Sequence, residues 1–263
     1  MTIHALVGLA GFTLRRIAAG RRVYAAAAVL ALGPLVALLV SLRSHDPPSE
    51  LFQQVGVHIG AYLAPLLLAL VYGIAITTSE VEDGTAGYVF LAALRREVVA
   101  LVQVVVTGAG LAVLAAGSVA ATWAIVRHVA SEGPPPSPAL AVDLALAAGL
   151  ACLPYLACVS FCGYAFRHGI AASVIFGVIG EVIPVAMPVR FALYTITNNV
   201  RAVIVATALH GDASDVLEYS EHWAWPWPSP GSALAYLAVV TVVALALAAA
   251  AAGRRRLVRG DAA

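Results

Sequence analysis

Six long apolar runs, at 23–42, 56–78, 98–126, 139–166, 169–188 and 231–252, leave this chain few ways to fold. Each reaches the roughly 20 residues with which an α-helix crosses a hydrocarbon core of about 30 Å. Lipid offers no partner for a backbone amide or carbonyl, so each run is predicted to be a helix and the fold all-α. With 62% hydrophobic and 11% charged residues, the chain lies outside the range of ordinary soluble domains. Six spans use up most of the 263 residues, so residues 1–263 read as one polytopic membrane domain.

Arginine placement sets the expected orientation. With a cytoplasmic N-terminus, Arg15, Arg16, Arg21, Arg22, Arg95, Arg96, Arg167, Arg254, Arg255, Arg256 and Arg259 fall inside, and only Arg43, Arg127, Arg190 and Arg201 fall outside. Both termini are then cytoplasmic. Residues 1–22 carry Ile3, Leu6, Val7, Ala10, Leu14 and Ile17 at helical spacing, which predicts an amphipathic elbow helix on the inner leaflet. The first span is long enough to stay in the membrane, so retention rather than cleavage is expected. Pro134, Pro135, Pro136 and Pro138 forbid a helix between the third and fourth spans and predict a stiff external loop. Abundant alanine, glycine, arginine and proline suit GC-rich codons, and with them a bacterial cytoplasmic membrane.

The segment 189–230 is apolar at 191–209, yet Asn198, Asn199 and Arg201 sit in the middle of that stretch. A seventh crossing there would export the arginine-rich tail, so a re-entrant element in the outer leaflet is predicted. Asp212, Asp215, Glu218 and Glu221, then Trp223, Trp225 and Trp227, follow as an acidic external loop and an interfacial aromatic belt.

The chain contains no lysine, so it has no P-loop of the Walker A type and no means of that kind to hold ATP. Cys152, Cys158 and Cys162 share one span. Cys158 and Cys162 lie on one helical face, but no histidine or further cysteine completes a ligand set. They read as packing residues, and no metal site is expected.

One polar loop interrupts this apolar chain: Glu80-Val81-Glu82-Asp83-Gly84-Thr85, closed by Arg95-Arg96-Glu97. Its carboxylates must face water or protein. Gly84 permits a reversal and Thr85 a cap. The run 86–94, with Val89, Phe90 and Leu91, suits a short helix ending at the arginine pair. Such a helix is either a docking element for a soluble partner or an ordinary connector.

This pattern of two glutamates two apart, glycine and threonine, an apolar stretch and paired arginines before a glutamate resembles the loop after the second span of ABC-2 type permeases. These are the membrane subunits of small six-span ABC exporters. The resemblance implies that residues 80–97 form a coupling element in a groove of a separate ATPase, carried by Glu80, Glu82, Gly84, Thr85, Arg95, Arg96 and Glu97. It implies a partner ATPase holding ATP and Mg, a second permease copy or homologue, no cofactor in this chain and no nucleic-acid partner. Ala92 and Ala93 stand where family members often carry a proline, so the end of the coupling helix is expected to be shaped differently.

Glu181 lies well inside the fifth run, among Gly177, Gly180, Pro184 and Pro188. An intramembrane carboxylate among helix-bending residues is either paired, here with Arg190 or Arg201, or part of a pathway or outer gate. His58 stands between Gly56 and Gly60, a spacing that lets helices approach closely. With Tyr62 and Tyr72 it is a candidate for a polar seam between protomers, and Asn198 and Asn199 join the candidate pathway residues. His58, His128 and His168 fall at different depths, which weighs against a membrane metal or haem enzyme. A non-transporting anchor that recruits an ATPase is the other alternative.

Overall fold

The computed structural model describes residues 3–43, 47–82, 95–129, 134–186, 193–208 and 228–254. Among these residues all regular structure is helical. Helix α1 spans Ile3–Ala19 and α2 spans Arg22–Ser41. Helix α3 is built of three consecutive pieces: Pro48–Val55, a π-helical stretch Gly56–Leu63, and Ala64–Glu82. Helices α4 and α5 follow at Arg96–Val129 and Pro138–Ala165. Helix α6 runs Gly169–Ile175, turns π-helical over Phe176–Val182 and ends with Ile183–Ala186. Helices α7, Ile196–Ala208, and α8, Pro230–Arg254, complete the set.

Among the described residues five helices are long and apolar enough to cross a membrane: Arg22–Ser41, Pro48–Thr77, Arg96–Val129, Pro138–Ala165 and Pro230–Arg254. The expected span at 169–188 is present as the shorter apolar helix Gly169–Val182. With its last piece, Ile183–Ala186, the described part of α6 has 18 residues, a rise of about 27 Å at 1.5 Å per residue, and positions 187–188 lie outside the described residues.

Both π stretches have a local cause. The amide of Ala64 donates five residues back to Ile59 O, and that of Ile183 to Val178 O. Each donor immediately precedes a proline, Pro65 or Pro184. Proline has no amide, and its ring crowds the carbonyl four residues earlier, so a widened turn just before it relieves the clash.

Helix α5 forms the centre. Leu144, Ala148, Ala151, Cys152, Tyr155, Leu156 and Val159 along it are fully buried, and α3, α4 and α8 pack around it. Helices in lipid gain little from the hydrophobic effect, so close backbone approach and hydrogen bonds must hold them. Gly56 faces Leu144 of α5 and Gly60 faces Val119 of α4, each with space for no Cβ. The Gly56–Gly60 pair therefore seats α3 within its own bundle. Gly163 of α5 likewise admits Thr77 of α3 against its backbone.

Helix α2 is peripheral, with Leu35, Leu39 and Leu42 exposed. Pro34 within it removes the amide that would have bonded Leu30 O. Ser118 Oγ of α4 donates to that carbonyl instead, at 2.6 Å. At the far end of α4, Trp123 Nε1 donates to Pro136 O at 3.0 Å and Arg127 lies over the indole ring, 5.0 Å from its centroid. The proline-rich loop is non-helical over 134–137, as expected, and Ser137 then caps α5 by accepting from Leu140 N at 3.2 Å.

Candidate functional site

The densest polar cluster among the described residues is built from α5, α6 and the turn that opens α7. In lipid the free amides at a helix start need partners from the protein itself. Here all those of the first turn of α7 find one. Glu181 Oε1 accepts from Ile196 N at 2.9 Å, and Oε2 accepts from Thr197 N at 3.0 Å. Thr195 Oγ1 accepts from Asn198 N at 3.1 Å, and Thr195 O accepts the Asn199 amide at 3.3 Å. Threonine and asparagine are residue types that favour such starts.

Glu181 Oε2 receives two further donors, Thr197 Oγ1 at 3.0 Å and Tyr155 Oη at 3.1 Å. The two hydroxyls lie 2.6 Å apart. Two amides that can only donate, at the positive end of a helix dipole, suit a carboxylate acceptor. The cluster is enclosed: Glu181 is 3% exposed and Tyr155 0%. Helix α8 adds a further tie, because Tyr236 Oη donates to Tyr194 O in the turn before α7.

Among the described residues, the partners of the Glu181 carboxylate are thus amides and hydroxyls and include no arginine. Arg201 is buried on α7, and Arg190 lies outside the described residues. Asn198 and Asn199 are buried in the same turn. Asn199 Nδ2 donates to Leu193 O at 3.0 Å and Thr195 O at 2.8 Å, which braces the turn itself.

His58 and Tyr62 form a separate feature on the π stretch of α3. His58 is exposed, its Nδ1 lies 2.9 Å from Gln54 O, and its ring meets that of Tyr62 edge to face at 6.2 Å. Tyr72 does not join them: its hydroxyl donates to Ile17 O of α1 at 3.3 Å.

Of the expected coupling residues, Glu80 and Glu82 fall in the last turn of α3. Asp83, Gly84, Thr85, Val89, Phe90 and Leu91, with the rest of 83–94, lie outside the described residues. Arg95 and Arg96 open α4: Arg95 O accepts from Val98 N and Val99 N at 3.0 and 3.1 Å. The basic pair thus stands at a helix start, next to Glu97, whose carboxylate abuts Gly253 of α8.

Tyr155, Thr195 and Thr197 are absent from the sequence-based candidates. The signal for Tyr155 was a phenol beside Pro154, midway along an alanine-rich span, since a buried tyrosine hydroxyl needs a partner. Thr195-Ile196-Thr197-Asn198-Asn199 has the composition of a capped helix start.

Models of known protein families give no match to this chain, and neither do curated proteins.

Proposed function

We propose that this chain is the membrane subunit of an ABC transporter, an exporter of the ABC-2 type driven by a separate ATPase that binds ATP and Mg. The observation that carries the reading is a half-length helix, α7, whose start is held inside an apolar bundle by the Glu181 carboxylate. Broken helices with polar ends at membrane depth are a recurrent device of transporters. The acidic-to-basic stretch between α3 and α4 supports an ATPase partner through its resemblance to a coupling element.

On this reading α6 is the fifth of six crossings, α1 the elbow and α7 the re-entrant element, with both termini in the cytoplasm of a bacterium. Two copies, or this chain and a homologue, enclose the pathway. Glu181, His58, Tyr62, Asn198 and Asn199 contribute to the pathway or its outer gate. Closure of the two ATPase subunits draws residues 80–97 of each copy together, and the helices re-pack to change which side is open.

The test is affinity capture of the chain from its native membrane, followed by assay of ATP hydrolysis in reconstituted vesicles. A stoichiometric ATPase whose turnover rises with a transported compound supports the reading. An ATPase indifferent to every candidate compound points to an anchor, and capture without any ATPase contradicts both.

A further inference from the structure

Residues 1–45 contain no aspartate or glutamate, whereas Arg15, Arg16, Arg21 and Arg22 fall within eight positions at the junction of α1 and α2. Helix α1 turns Leu9, Ala10, Thr13 and Ile17 toward the protein: Thr13 is buried, and Ile17 reaches Gly110 of α4. Tyr72 and Arg22 tie this junction to α3, the latter through Arg22 Nη1 to Ala75 O at 3.4 Å. The other face is open. Val7, Phe12 and Leu14 are 65%, 49% and 49% exposed, and Arg15 and Arg21 are exposed as well. At 100° per residue Arg15 falls between an apolar edge formed by Val7 and Leu14 and a second edge formed by Phe12.

The occupant of this face follows from depth and charge. Helix α2 has 20 residues, a rise of about 30 Å that matches a hydrocarbon core, so Arg21 and Arg22 at its start fall at the headgroup boundary. Among the residues whose side chains are described, no carboxylate pairs with Arg15 or Arg21. Apolar side chains flanking arginines at that boundary suit acyl chains below and phosphates beside them. We propose that the outer face of α1, with Arg15 and Arg21, captures anionic phospholipid headgroups, so that the chain gathers acidic lipid at this junction. Lipid capture by α1 is independent of whether the chain transports anything.

The experiment uses the full chain with Cys152→Ala, Cys158→Ala and Cys162→Ala and carrying Gly11→Cys, at a position where an added Cβ would meet no heavy atom within 4 Å, labelled with an environment-sensitive fluorophore. Val243→Cys on the exposed face of α8 serves as reference. Mixed vesicles hold phosphatidylcholine and phosphatidylglycerol at equal mole fraction, with brominated quenching chains on one lipid at a time. Position 11 is expected to be quenched more by brominated phosphatidylglycerol, by about five-fold per engaged arginine, while position 243 is quenched equally by both. High salt and the Arg15→Gln/Arg21→Gln pair should each bring the ratio at position 11 toward one. A ratio of one in the parent chain, a ratio unchanged by the arginine pair, or no quenching at position 11 overturns the proposal. A preference that emerges only after Glu80→Gln/Glu82→Gln also overturns it, because the acidic end of α3 would then be the occupant.

Discussion

Glu181 and Thr197, sixteen positions apart on different helices, meet through two bonds to one oxygen: the Thr197 amide and hydroxyl both donate to Glu181 Oε2 at 3.0 Å. Thr197 is thereby fixed by backbone and side chain at once, and the start of α7 is pinned to the π stretch of α6.

Removal of that acceptor should cost more than an ordinary surface cap. Glu181→Ala leaves the Ile196 and Thr197 amides without their acceptor in a site that water does not reach. A loss of about 2 kcal/mol or more is expected. Glu181→Gln keeps one acceptor oxygen but turns an NH₂ toward donors, so it should fall between parent and alanine. Thermal unfolding of the detergent-solubilised protein measures both. Equal melting of all three would show that α7 is held by packing alone.

Tyr155→Phe deletes only the hydroxyl that reaches Glu181 and Thr197, at an expected cost of about 0.5–1.5 kcal/mol. Combined with Thr197→Val, the losses should be less than additive, since both hydroxyls serve one oxygen. Strict additivity in a double-mutant cycle would separate the two residues.

The membrane class and the large helices were legible because apolar runs of 20 or more residues admit few other structures. Glu181 was legible as an intramembrane carboxylate, but not its partner. Arginine is the obvious counter-charge in a sequence, whereas a helix amide carries no side-chain signature. The Gly56–Gly60 spacing foretold a close approach, and only the fold shows Leu144 and Val119 on the other side. The π turn before Pro184 was not legible for a similar reason, as composition does not register a widened turn. The arginine pair at 95–96 opens α4, while the short helix expected over 86–94 lies outside the described residues.

Ser118→Ala should orphan the Leu30 carbonyl that Pro34 has already deprived of its helical partner. Interhelical hydrogen bonds in membranes are worth about 0.6 kcal/mol on average and up to about 1.7. Ser118→Ala is expected in the upper part of that range. In a Pro34→Ala background, where an amide is restored to Leu30 O, the same substitution should cost little. The comparison requires four unfolding curves, and an unchanged penalty for Ser118→Ala would mean that Pro34 does not create the acceptor.

Residues 80–97 carry the proposed link to an ATPase, with acidic charge at one end, basic charge at the other and Val89, Phe90 and Leu91 between. Charge would set the register of docking and the apolar residues its grip. The most direct measurement is the amount of ATPase retained when Glu82→Arg/Phe90→Ala is purified from membranes beside the parent chain, at equal insertion. The parent is expected to retain its ATPase and the double variant to lose most of it. Full retention by the double variant, or none by the parent, would contradict the assignment of this chain as an ATPase-driven permease.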